Sequence, residues 1–250
     1  GSDRLGNGTY SWEDTTNTLS LNGVTWTTTA ETAFHLGQND VILLLDGDNV
    51  NTFKVSGDHM YNDGKSHRSY GIYCKGKITI NATNWGQLEA FAGNYTITGA
   101  TSGQTKGIYA EGGYIQNGGD VTANGGNIPN SGSSMGIDAG VYEAKANITV
   151  NGGDLNATAG SGATVAGISA FGNVIVNAGR ITGYALDTGA TFAYGIFAVD
   201  KLILNSGTVI AQGTSTGKMK TVGINVSALE LPSVYKYLKN IESGIPEEDY

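Results

Sequence analysis

The sequence is poor in the residues that staple, kink or charge a chain. It has one cysteine, Cys74, in 250 residues. That excludes an intrachain disulfide and any metal site built from several thiolates. It has only three prolines. Charged residues make up 14% of the chain, 14 Lys and Arg against 22 Asp and Glu. A formal net charge of −8 argues against nucleic acid and anionic membrane surfaces as partners. No apolar run approaches the roughly 18 residues of a membrane-spanning helix, so no membrane insertion by this segment is expected. The longest such run, Val41 to Leu45, is of strand length. No His-Glu-x-x-His or phosphate-binding loop is present. What the chain does have is glycine, 39 residues of it, together with Asn, Thr and Ser. Such a chain solvates itself with small polar groups rather than with ion pairs.

It also has a repeat. Gly-Ile recurs at 71–72, 107–108, 136–137, 167–168, 195–196 and 223–224, and Ala33-Phe34 holds the same place before them. Successive second residues lie 38, 36, 29, 31, 28 and 28 positions apart. A corner of small residues follows each, beginning at Asp46, Asn81, Asn117, Asn151, Asn177 and Asn205. The distance from Ile to corner is 9 residues in four repeats, 12 in the first and 14 in the fourth. The distance from corner to next start varies more, as a loop leaving a stack does. Between these marks run segments of period two, such as Lys77-Ile78-Thr79-Ile80 and Lys201-Leu202-Ile203-Leu204. Period two is strand, and the repeat is too short for strand, helix and return strand. An apolar residue returns four positions past each corner: Val50, Val121, Leu155, Ile181 and Val209, with Trp85 in the second repeat.

The pattern predicts an all-β, single-stranded parallel β-helix of about seven rungs, forming one structural domain. Each rung buries its apolar face only by stacking on the next. Residues 1–32 are expected to hold an N-terminal cap and first rung, with Trp12 and Trp26 over the open core. Residues 33–228 hold the repeats. Residues 229–250 hold a C-terminal capping helix and an acidic tail. In that helix Val234, Leu238 and Ile241 share a face, and Gly244 and Pro246 end it. The corner asparagines would stack about 4.8 Å apart, so each amide can bond the next. The expected ladder is Asn81, Asn117, Asn151, Asn177 and Asn205, with Asp46 at one end and Asn22 before it.

With Ile inward, the next residue faces out: Tyr73, Tyr109, Asp138, Ser169, Phe197 and Asn225. Tyr73 and Tyr109 on adjacent rungs make a flat aromatic strip of the kind that stacks on sugar rings; cross-rung packing is the alternative. Phe197, Tyr142 and Tyr184 are further stacking candidates. Lys75 and Glu111 share one position on adjacent rungs and are expected to form a surface ion pair. Calcium takes six to eight oxygens, and Asp46, Asp48, Asp120, Asp154 and Asp138 are its candidate ligands. Asp120 and Asp154 stand on neighbouring rungs and repel unless a cation separates them. Zinc at Asp58, His59, Asp63 and His67 is not favoured, because these lie in a long loop. Glycoside hydrolysis needs paired carboxylates, and no packed position repeats one.

The segments Gly-Ile-Tyr-Ala-Glu-Gly-Gly (107–113), Ile-Thr-Val-Asn-Gly-Gly-Asp-Leu-Asn-Ala-Thr-Ala-Gly (148–160) and Gly-Ile-Ser-Ala-Phe-Gly-Asn-Val-Ile-Val-Asn-Ala-Gly (167–179) resemble the repeats of exported carbohydrate-binding-domain-containing proteins of Gram-positive gut and cellulolytic bacteria. The resemblance covers roughly residues 15–228. It implies a right-handed β-helix of the pectate-lyase shape, with calcium and polysaccharide binding without demonstrated catalysis, and an extracellular or cell-surface location. The leading expectation is a non-catalytic module that binds a polysaccharide or cell-wall glycan. A polysaccharide lyase or hydrolase is the second expectation, and an adhesin or stalk without a small ligand the third.

Overall fold

The computed structural model describes residues 8–61, 65–97, 103–128, 132–187, 189–214 and 221–232. Among them are strands and turns and no helix. Strands three apart in the chain pair, or four apart where Asp58–Tyr61 and Asn94–Ile97 add a small two-stranded sheet, so successive strands visit three faces in turn. The first sheet has nine strands, from Thr9–Glu13 and Thr18–Asn22 to Lys201–Leu204 and Ala228–Glu230. The second has seven, from Thr25–Thr28 to Thr208–Gly213, and the third has seven, from Thr32–His35 to Thr221–Asn225. Pairing is parallel throughout the stack. This is the wiring of a parallel β-helix. Thr9–Glu13 is the exception, since it runs antiparallel along the edge of the first sheet.

Register explains the repeat. Phe34, Ile72, Ile108, Ile137, Ile168, Ile196 and Ile224 stand opposite one another along the third sheet. The five isoleucines from Ile72 to Ile196 are fully buried. Each contributes roughly 1.5–3 kcal/mol against exposure. Adjoining columns of Leu, Val and Ala from the other sheets complete the core.

The corners are tied by asparagine. Asn117 Nδ2 donates to Asn81 Oδ1 at 2.8 Å. Asn151 donates likewise to Asn117, Asn177 to Asn151 and Asn205 to Asn177, each at 2.7 Å. Two residues on, Gly119, Gly153, Gly179 and Gly207 have φ of +77°, +75°, +81° and +94°. A Cβ on Gly153 would lie 2.0 Å from the carbonyl oxygen of Gly119. Glycine is therefore required by both backbone angle and rung spacing.

Several expectations need correction. The ladder ends at Asn81. Leu44 stands opposite Asn81, and Asp46 instead accepts from the Thr83 hydroxyl at 2.9 Å. The longer first repeat shifts its corner by two residues. Asn22 accepts from Asn49 Nδ2 at 2.6 Å, outside the ladder. Asn51 and Leu88, not Val50 and Trp85, face inward beside Val121 and Leu155. Asn51 is fully buried, accepts from Val24 N and donates to Gln87 O. Trp85 is 74% exposed. Trp26 packs against the core as a cap should, while Trp12 sits exposed on the antiparallel edge strand. The helix expected at Val234, Leu238 and Ile241 lies outside the described residues.

Further corners are fixed by side chains outside the repeat's corner positions. Asn147 Oδ1 accepts from Asn173 N, and Asn173 Oδ1 from Lys201 N. On another edge Asn94 Oδ1 accepts from Asn127 N, and Asn127 Oδ1 from Ser161 N. A carboxamide thus fixes the turn between rungs at more than one corner of the coil.

Candidate functional site

One groove of about 420 Å³ crosses the outer face of the third sheet. Two columns build it. The residue after each Ile gives His35, Tyr73, Tyr109, Asp138, Ser169, Phe197 and Asn225. The residue before each Gly gives Tyr70, Lys106, Met135, Ala166, Tyr194 and Val222. Strict alternation would put Lys106 on the core side with Ile108. Gly107 breaks that alternation, and the ladder of pairs passes over it. A Cβ on Gly107 would lie 2.4 Å from Asn124 N. The chain bends there, and both columns reach the outside.

The groove exists because side chains shrink along these columns. Ala166 and Ser169 are small and form the floor. Lys106 and Tyr109 rise on one side, Tyr194 and Phe197 on the other. Tyr109 and Phe197 are three rungs apart, about 14 Å at the spacing of paired strands. A flank comes from Val141 and Tyr142, with Phe171. These two belong to the extra residues of the fourth repeat, the one with 14 positions between Ile137 and Asn151. Gly140, at φ +84°, opens that insertion, and a Cβ there would meet Phe171 Cβ at 3.1 Å. Val141 and Ala144 pair across its turn. Lys145 then reaches Asp200 at 2.5 Å, two rungs along. Tyr142 stands 83% exposed at its tip.

At one end the floor is charged and dry. Lys106 Nζ lies 2.7 Å from Asp138 Oδ2, with the two side chains only 5% and 3% exposed. The ammonium also sits 3.3 Å from the centre of the Tyr109 ring and 6.0 Å from that of Tyr70. Asp138 Oδ1 has no hydrogen-bond partner among the described residues. Tyr73 and Tyr109 stack at 5.5 Å, and Tyr70 lies 5.4 Å from each. Burial holds the Tyr70 and Tyr109 phenols well above their usual pKa of 10. Burial, and then the bond of its hydroxyl to Glu111 Oε1 at 2.8 Å, pushes Tyr73 up to about 12. All three tyrosines are therefore neutral donors at ordinary pH.

The structure sorts the sequence candidates. Tyr109, Tyr142, Phe197 and Asp138 line the groove together. Tyr73 adjoins through its stack on Tyr109. Tyr109 is buried under Lys106 rather than open, so one face of its ring is already taken. Tyr184 pairs between Thr158 and Gln212 in the second sheet, away from the groove. Glu111 is held by Tyr73, not by Lys75. Lys106, Tyr194, Phe171 and Ala166 were missed as lining, because only the residue after Ile, Ser169 among them, was read as outward. The alignment of Gly-Ile starts and the 14-residue spacing carried that signal.

The acidic candidates have protein partners. Asp48 accepts from Trp85 N, Asp46 from Thr83, and Asp138 pairs with Lys106. Asp120 and Asp154 do stand opposite one another. Arg180, next in that column beyond Asp154, neutralises it from the far side, its Nη2 lying 2.5 Å from Asp154 Oδ2. No group of three His, Cys, Asp or Glu side chains gathers among the described residues. These donor sets do not fit a six- to eight-oxygen calcium shell. Comparison of the chain with protein-family models, with curated proteins and with solved structures finds no match.

Proposed function

We propose that this chain is a non-catalytic, extracellular or cell-surface module that binds a polysaccharide along the third sheet. In this reading the coil is right-handed, of about seven rungs, and serves as a rigid bed for one sugar chain. The observation that carries the reading is the walled groove. Tyr142, Phe171, Tyr194 and Phe197 offer ring surface over a floor of Ala166 and Ser169, with a polar pair at one end. Clefts that are mostly apolar with a few placed polar groups are the usual form of ligand sites. The likeness of the repeats to exported carbohydrate-binding proteins points the same way.

A lyase or hydrolase is the second reading, and the joint presence of Asp138 and Lys106 favours it. The remaining chemistry favours binding. Hydrolysis uses two carboxylates roughly 5–9.5 Å apart, and Asp138 is the one carboxylate among the groove's lining residues. Lys106 is engaged by that carboxylate, and the tyrosines are held neutral by burial. None of them is poised as a base.

The test is a glycan array with the purified chain, run with calcium and with a chelator, followed by product analysis on each binder. Binding without products is expected, weakened by Tyr142→Ala and by Phe197→Ala. Tyr184→Ala should leave it unchanged. New reducing ends or unsaturated products would make the chain an enzyme. Binding lost to the chelator would restore calcium to the site. Failure to bind any glycan would leave the stalk reading standing.

A further inference from the structure

Several buried polar side chains of the stack are fully bonded. Asn51 is satisfied on both sides of its amide. Gln116, fully buried in the first sheet, accepts from the Tyr114 hydroxyl and donates to Gly119 O and Asp154 O. The buried hydroxyls of Ser69, Thr105 and Ser134 each bond a neighbouring backbone group. Asp138 departs from this pattern. It is 2% exposed, and Oδ1 has no partner among the described residues. An unsatisfied buried acceptor costs about 1–3 kcal/mol, and more when charged. Such a group needs a reason, and this one lies in the lining of the groove.

The missing partner has a defined chemistry. The charge of Asp138 is already balanced by Lys106 at 2.7 Å. A second cation is therefore not called for; a neutral O–H donor is. Lys106 carries three N–H donors, and its ion pair uses at most one of them. A carboxylate acceptor beside an ammonium donor matches two adjacent hydroxyls, one giving its proton to Oδ1 and the other accepting from Nζ. A uronate would bring its own carboxylate against Asp138, which like-charge repulsion disfavours.

We propose that Asp138 and Lys106 form the hydroxyl-reading subsite of the groove, and that its ligand is a neutral sugar with vicinal hydroxyls rather than a uronate. The proposal rests on the glycan reading above and narrows its substrate class. It also gives the buried pair a purpose other than stability. Replacing a buried ion pair with apolar residues of similar size is often neutral or stabilising.

The experiment is calorimetric binding of cello-, manno-, galacto- and xylo-oligosaccharides, with oligogalacturonate beside them. Wild type is compared with the double variant Lys106→Met/Asp138→Leu, and melting curves check that both fold. The expected result is a neutral binder for wild type, no preference for oligogalacturonate, and at least tenfold weaker binding by a variant that melts no lower. A second arm keeps wild-type protein and changes the ligand to monodeoxy forms of the binder. At least one should lose tenfold or more, because a site built for a hydroxyl rejects the analogue without it. Binding retained by the double variant, or equal binding of every deoxy form, overturns the subsite alone. Preference for oligogalacturonate overturns the neutral-sugar assignment. Wild type binding nothing in the panel overturns both the subsite and the glycan reading beneath it.

Discussion

The asparagine ladder allows a count of bonds to be tested against a count of kilocalories. Asn151 donates to Asn117 and accepts from Asn177, both at 2.7 Å. Asn151→Ala therefore removes two bonds. A neutral hydrogen bond contributes about 0.5–1.5 kcal/mol net. These side chains are exposed, so water can serve the orphaned partners. The expected loss falls in the lower half of that range, about 1–2 kcal/mol in all. Asn205 makes one ladder bond, to Asn177, and Asn205→Ala should cost about half as much. The sharper test is additivity. Asn177→Ala also removes two bonds, one of them shared with Asn151. The adjacent double variant thus loses three bonds where simple addition counts four. It should be milder than the sum by one bond, about 0.5–1 kcal/mol. The separated double variant Asn117→Ala/Asn177→Ala shares no bond and should be additive. Urea unfolding followed by circular dichroism measures all of these. Strict additivity of the adjacent pair, or an Asn205→Ala loss equal to that of Asn151→Ala, would refute the ladder as a source of stability.

Two further expectations concern the corners and the tyrosines. Gly153→Ala must set a Cβ 2.0 Å from a neighbouring carbonyl at φ +75°, and should destabilise by more than about 1–3 kcal/mol. Gly118→Ala meets nothing within 4 Å and stands where Ala178 and Ser206 already stand in other rungs, so it should be neutral or stabilising by up to about 1 kcal/mol; thermal melts of the two separate them. At high pH the unfolded chain ionises its tyrosines near 10, while folded Tyr73 holds its proton to about 12. Stability is thus full below pH 10 and falls as pH rises towards 12. Tyr73→Phe should shallow that fall in urea midpoints taken between pH 9 and 11.5, and an unchanged slope would count against the burial and Glu111 bond as its cause.

The fold was legible in the sequence where the core imposes the same demand on every rung. Ile72, Ile108, Ile137, Ile168 and Ile196 had to be alike because each packs on the next, and so did the corner asparagines. Asp46 and Val50 were misplaced for the complementary reason. The first turn carries a longer corner, and counting from it slips the register by one or two residues. The groove was half legible. Tyr109, Asp138 and Phe197 follow from the residue after Ile. Lys106 and Tyr194 did not, because Gly107 and Gly195 bend the strand and cancel the alternation on which the inference relied. Period-two reasoning assumes a straight strand, and these glycines mark where the strand is not straight.

In a stack held by repetition, a departure from repetition has to be supported by something else. The outward columns change from Tyr70 and Tyr73 to Ala166 and Ser169 and back to Tyr194 and Phe197, and the depression follows from that alone. The insertion after Ala139 adds a flank at the same level and is braced by Lys145 on Asp200. Asp138 places a buried carboxylate where most rungs have a neutral group, and Lys106 holds it in charge but not in hydrogen bonds. None of these three is needed for the coil, since neighbouring rungs stack without them. They fall within one stretch of the stack and line one groove. Independent defects would be scattered along the seven strands of the third sheet. Three departures that converge on one cavity fit the proposed ligand better than drift, and the unpartnered Asp138 oxygen marks the part of the cavity proposed to read it.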